Sequence, residues 1–205
     1  MSNLDTKVGA NMARCKQCNN RGLFLRVNSS DLCPHCVELI SQIPSDYTVI
    51  DLETTGLNPW RHEILEIGAI KYRAHKEIDR FHTYVIPTKS AIPAAATAVN
   101  GITWETVLYA PPFEQVKDNI LNFISQETIV GYNIRFDLQF IQMKSKIILD
   151  NPTFDVLSFM REISPNEESY KLDCLRSKYA LGGIPHTSLG DCEATVQLMQ
   201  HFLTI

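Results

Sequence analysis

The sequence predicts an α/β domain, a mixed sheet flanked by helices, preceded by a small module of clustered cysteines. Three observations predict it. Residues 47–86 hold three strand-like stretches joined by short connections. Residues 112–132 pass from a helical apolar pattern into a short strand, as a crossover back into the sheet requires. Residues 12–38 carry four of the six cysteines and show neither period.

In chain order, residues 1–11 are polar and aperiodic and read as a disordered tail. Residues 12–40 form the cysteine module, and Ile43-Pro44-Ser45-Asp46 reads as a short linker to a domain over 46–205. There, Tyr47–Glu53 alternates and is β-branched, Ile64–Tyr72 is a second strand, and Glu77–Ile86 a third beyond a tight turn near His75-Lys76. Short connections between them imply an antiparallel meander. Pro112–Ser125 places Phe113, Val116, Ile120, Leu121 and Ile124 at helical spacing, ahead of a strand over Thr128–Tyr132. Helices are expected at about 135–148, 170–180 and 189–203.

With 205 residues, 44% hydrophobic and 20% charged, the chain has an ordinary globular composition, room for one domain plus a module, and no visible repeat. No apolar run approaches a membrane span, and the first residues lack a signal-peptide core. A cytoplasmic setting is therefore expected, where thiols stay reduced and serve as ligands or core residues rather than disulfides. The net charge of −4 argues against a long, sequence-independent grip on duplex DNA. It does not exclude a phosphate-bearing substrate, because metal bound to four carboxylates would cancel it.

Those carboxylates are Asp51, Glu53, Asp137 and Asp191, accompanied by His186. Asp51 and Glu53, two apart on a strand, project from one face with Val49; the competing reading is a solvated strand end. Asp137 opens the helix at 135–148, where the helix dipole alone favours an acid. Ser188-x-x-Asp191 fits a capping box, and His186 alone is a loop histidine. If the four acids converge, each pair near 5 Å repels by roughly 3 kcal/mol at an effective dielectric of 20. Together the pairs approach ~20 kcal/mol, above the ~5–15 kcal/mol stability of a typical domain. Such a cluster needs protons or cations. An all-carboxylate set selects hard ions, Mg²⁺ or Mn²⁺, two of which would clamp an in-line phosphoryl displacement. His186 would then take the proton of the attacking water.

These segments resemble the DEDDh family of 3′–5′ exonucleases, which includes the proofreading epsilon subunit of bacterial DNA polymerase III. The carrying segments are IDLETTGLNP (50–59), ILEIGAI (64–70), VNGIT (99–103), GYNIRFDLQFI (131–141), YKLDCL (170–175) and HTSLGDCEAT (186–195). The resemblance implies a ribonuclease H-like fold with a five-stranded mixed sheet, and stepwise release of nucleoside 5′-monophosphates from a single-stranded 3′ end. It implies Asp51, Glu53, Asp137 and Asp191 as ligands of two Mg²⁺ or Mn²⁺ ions, with Glu53 also orienting the water. It implies His186, at His-x₄-Asp spacing, as general base, distinguishing this branch from one using tyrosine at Tyr-x₃-Asp. Thr54, Thr55, Gly56 and Leu57 would hold the terminal nucleotide, Leu57 against its base, with Asn133 nearby. Tyr132 and Asn100 stand where many members have histidine, which bears on preference at the 3′ nucleotide. Glu66, Asp155 and Asp173 read as paired or capping acids.

Cys15-x₂-Cys18 and Cys33-x₂-Cys36, fourteen residues apart, read as a Cys₄ ribbon or knuckle around one structural Zn²⁺. Two disulfides or a redox pair are the alternatives. Cys174 and Cys192 fall within helical patterns and are expected in the core. Arg14, Lys16, Arg21, Arg26 and Phe24 suit contact with single-stranded nucleic acid, and equally a protein-docking surface or mere solubility. DNA is the favoured substrate, with RNA 3′-end trimming as the alternative. A binding adaptor that keeps the fold without activity is a third reading. Proofreading would need a separate polymerase or other replication or repair partner. The oligomeric state is not encoded in these motifs.

Overall fold

The computed structural model describes residues 12–22, 24–88 and 91–204; the expected tail over 1–11 lies outside them. The chain opens with two paired antiparallel strands, β1 (Ala13–Arg14) and β2 (Arg21–Gly22), then α1 (Pro34–Ser41). Pro34 occupies the first helical position, where its fixed φ fits and its missing N–H costs nothing. The main sheet begins with β3 (Tyr47–Thr54), β4 (Ile64–Arg73) and β5 (Lys76–Tyr84). Ala74 and His75, at φ 47° and 60°, make the two-residue turn between β4 and β5, whose twist suits a hairpin. There follow α2 (Ala94–Asn100), α3 (Trp104–Val107), α4 (Phe113–Ile124) and β6 (Thr128–Gly131). The chain ends with α5 (Arg135–Ser145), β7 (Thr153–Asp155), α6 (Val156–Ile163), α7 (Leu172–Tyr179) and α8 (Ser188–His201).

The sheet order is β5-β4-β3-β6-β7, antiparallel across β5, β4 and β3 and parallel across β3, β6 and β7. This is the mixed five-stranded sheet flanked by helices that the sequence predicts. The alternation of β3 divides the core. Ile50 and Leu52 pack with Ile67, Ile120 and Phe140 under α4 and α5. Tyr47 and Val49 pack on the other face with Met160, Leu175, Val196 and Phe202, under α6, α7 and α8.

The cysteine segment shares that second core. Cys15, Leu32, Cys33, Cys36, Leu39 and Ile43 are buried in one apolar cluster with Tyr47, Phe159 and Ile163. Gln17 Nε2 donates to Ser164 Oγ at 2.6 Å beside the last turn of α6. The segment therefore sits at the Tyr47 end of β3. Glu53, six residues along a strand rising ~3.3 Å per residue, lies about 20 Å away. Cys192 is buried, as expected. Cys174 is not: it lies exposed on α7, whose inward positions are filled by Leu175 and Arg176.

Candidate active site

Asp51 pairs with Gly68 across β3 and β4, and Glu53 with Glu66, so both acids leave the sheet on the face covered by α8. Gly68 sets how closely α8 approaches. A Cβ there would stand 2.6 Å from the Ser188 carbonyl carbon, so only glycine lets the helix start rest on the strand. The cap of α8 is Thr187, whose Oγ1 accepts from the Gly190 N–H at 3.2 Å. The cap thus falls one residue before the Ser188-x-x-Asp191 box, and the Asp191 carboxylate is left to face the strand. Ligand oxygens of Asp51, Glu53 and Asp191 lie within 4.8 Å of one another.

Asp137 arrives from α5. Its Oδ1 accepts from the Leu52 N–H at 3.0 Å, beyond the last β3–β6 pair at Val49 and Val130. A backbone donor left over by the short strand thereby binds the fourth acid beside Asp51. Burial pushes the Asp51 carboxyl well above the usual range, and Asp137, Asp191 and Glu53 push it further. Burial also raises Asp137, against the pull of its own N–H and that of Leu52. Glu53 is pushed up to about 7 by burial and by Asp191, opposed by a hydrogen bond from Asn100. Four acids so placed hold protons or cations.

One cation is built in. The Arg176 guanidinium, buried on α7, pairs with Asp191 Oδ1 and donates to the carbonyls of Gly182, Gly183 and Gly190. Burial raises the Asp191 carboxyl, while Arg176 and His186 act to lower it. His186 precedes α8 at φ 58°, half-exposed, with Nε2 3.2 Å from Asp173 Oδ2. The other acids of these segments are paired or capping. Glu66 is buried between His82 Nε2 (2.6 Å) and the Ser188 N–H (3.2 Å), and Asp155 caps α6 by accepting from Leu157 N–H.

Next to Glu53 opens a cavity of about 530 Å³, lined by Thr54, Thr55, Gly56, Leu57, Asn100 and Phe136 among others. Thr55 braces it from within, its Oγ1 accepting from the Glu63 N–H at 2.9 Å. Leu57 projects at its mouth, 84% exposed. Asn133 stands outside this lining. It is exposed in a left-handed turn, its N–H donating to Asp155 Oδ1 at 2.8 Å. Arg176 and Phe136 were not anticipated. Arg176 had a signal, since Leu172, Leu175, Arg176 and Tyr179 follow the i, i+3, i+4, i+7 apolar stripe of α7, and an arginine within it calls for a buried partner.

At the far end of β3 the four thiols of Cys15, Cys18, Cys33 and Cys36 also lie within 4.8 Å of one another. Cys15 to Cys36 and Cys18 to Cys33 are each 3.7 Å, sulfur to sulfur. A disulfide bond spans ~2.05 Å, whereas sulfurs ~2.3 Å from a tetrahedral Zn²⁺ are about 3.8 Å apart. Burial raises the Cys36 thiol. It raises Cys15 as well, but backbone N–H groups of Cys18, Cys33 and Gln17 outweigh it and bring Cys15 down to about 6.

A family profile described as Exonuclease (RNase_T) matches residues 48–199. A DNA polymerase III PolC-type protein of Caldanaerobacter subterraneus subsp. tengcongensis is 32% identical over 162 residues, covering 77% of this chain and 12% of that protein. A DNA polymerase III subunit epsilon-like protein of Rhodobacter capsulatus is 33% identical over 177 residues, covering 80% of this chain and 25% of the relative. The chain thus spans a quarter or less of these relatives' length. Among solved structures, exonuclease X in complex with 5′ overhanging duplex DNA superposes with a TM-score of 0.64 at 24% identity, covering 77% of this chain and 91% of that one. E. coli exonuclease I in complex with a dT13 oligonucleotide gives 0.68 at 20% identity, covering 78% and 41%.

Proposed function

The chain belongs to the RNase_T exonuclease family, and on that footing we propose that it hydrolyses single-stranded nucleic acid, DNA in preference to RNA, from the 3′ end to nucleoside 5′-monophosphates. The observation that carries this reading is the convergence of Asp51, Glu53 and Asp191 oxygens within 4.8 Å, beside a cavity open at the Leu57 loop. The DNA polymerase III names of the relatives and the DNA in the superposing structures favour DNA.

Two Mg²⁺ or Mn²⁺ ions held by Asp51, Glu53, Asp137 and Asp191 would supply Lewis-acid stabilisation of the charge that develops on the phosphate. The residues do the rest. Thr54, Thr55, Gly56 and Leu57 seat the terminal nucleotide, with the Leu57 side chain against its base. Glu53 orients the attacking water. His186 removes its proton, and Asp173, 3.2 Å from the ring, stabilises the imidazolium that results. The four thiols hold one structural Zn²⁺. A replication or repair polymerase is the partner proposed.

The test uses 5′-labelled single-stranded DNA and RNA of one sequence with Mg²⁺ or Mn²⁺. A ladder shortening from the 3′ end is expected, faster on DNA. Asp51→Ala and His186→Ala should each slow it at least about 10²-fold. Full activity in Asp51→Ala would overturn the assignment.

A further inference from the structure

Leu57 borders a second depression. This groove, of about 720 Å³, is lined by Leu57 and Trp60 of the loop, Gln142 and Met143 of α5, and Lys146 and Ile148. Trp60 forms its wall and is 78% exposed, with no ring stacked on it among the described residues. The indole is presented by a firm turn: Trp60 N–H donates to Asn58 Oδ1 at 2.9 Å, and the Arg61 and His62 N–H groups donate to the Asn58 carbonyl. Lys146 makes no ion pair among the described residues, and its left-handed backbone, φ 61°, ends α5 at the groove. An exposed indole on a hydrogen-bonded turn, an exposed leucine and an uncommitted cation form the combination that binds a nucleobase and its phosphate.

We propose that this groove is a subsite for the nucleotide 5′ to the terminal one, its base stacked on Trp60 and its phosphate facing Lys146. The proposal rests on the exonuclease reading, since it continues the strand whose 3′ residue lies against Leu57. Continuity decides the occupant: Leu57 lines both cavities, so one single strand crossing that side chain fills both.

Two measurements on the full chain test it. The protein has two tryptophans, so Trp104→Phe leaves Trp60 as the sole indole reporter. Titrating that protein with (dT)6 in Ca²⁺ should quench its fluorescence, and (dT)6 binding without any spectral change would overturn the subsite. In Mg²⁺, kcat/KM for (dT)6 is divided by that for thymidine 5′-(p-nitrophenyl phosphate), which has no upstream base. The ratio should fall about tenfold in Trp60→Ala, the loss expected for one stacked base, and recover in Trp60→Phe. An unchanged ratio in Trp60→Ala also overturns it. Quenching by (dT)6 without any hydrolysis would instead sink the exonuclease reading and leave the subsite standing.

Discussion

Glu53 carries the site's pH dependence because its carboxyl is held near 7 in the folded chain, against about 4.5 when unfolded. Its folded value is the higher one, so the folded state binds the extra proton. That contribution is complete below about 4.5 and is lost as pH rises through about 7, and the raised Asp51 and Asp137 act in the same sense. Without Mg²⁺ the melting temperature should therefore be lower at pH 8 than at pH 5. Added Mg²⁺ should recover it at pH 8, and Glu53→Gln should flatten the slope. Identical melting at both pH values would remove the electrostatic argument for metal. Arg176 is the residue-scale counterweight. Replacing it by Met leaves Asp191 partly buried and unpaired beside three other acids, which costs up to ~3–5 kcal/mol, the loss for a fully buried pair. The loss should shrink as pH falls, because burial raises the Asp191 carboxyl and removing Arg176 raises it further, and thermal unfolding of Arg176→Met at pH 8 and pH 5 reads it.

At the scale of elements, the site depends on where α8 begins relative to β4. Gly68→Ala places a methyl 2.6 Å from backbone, which no rotamer change relieves, so the helix start must move and carry Asp191 with it. A displacement near 1 Å in a reacting constellation costs about 10²-fold in rate. We expect that loss in kcat on labelled single-stranded DNA, with the circular dichroism spectrum retained. Much of this architecture was legible. Strand β3 declared itself by alternation, and α4 by its Val116, Ile120 and Ile124 stripe. Of the elements that escaped, α6 carries a stripe of Val156, Phe159, Met160 and Ile163, whereas β7 and α2 lack one. β7 is three residues long, too short to show a period. α2 buries no side chain at all, so AAATAVN offers no stripe, although Gly101 at φ 69° ends it in a standard way. The ribonuclease H-like arrangement came from motif resemblance, as alternation does not state strand order. Asp191 illustrates the limit at the site itself: sequence gave two explanations for it, and only the Thr187 cap shows that the carboxylate is not spent on the helix. The fold leaves Asn133 outside the cavity lining because its left-handed turn commits its N–H to Asp155.

At the scale of the whole molecule, the cysteine segment and the carboxylate cluster occupy opposite ends of β3. With about 20 Å between them by strand rise, the thiols do not share the cavity beside Glu53. Their influence runs through the core instead. Cys15, Cys33 and Cys36 are buried with Tyr47, Phe159 and Ile163, and Leu39 and Ile43 extend the same cluster toward β3. A Zn²⁺ bound there would stabilise the nuclease fold along with the hairpin and α1, since the unfolded chain holds no preformed Cys₄ site. Elemental analysis should find about one zinc per chain. Removing it with a thiol-competent chelator, or replacing Cys36 by Ser, should lower the melting temperature of the entire chain. For a chain of this length, a loss of ~4 kcal/mol corresponds to a fall of about 8–16 °C. The transition should stay single by both far-ultraviolet circular dichroism and exonuclease activity, because one cluster is shared by both parts. Two separate transitions, with the cysteine segment melting while the nuclease retained its own temperature, would show that the segment is an appendage and not part of the core.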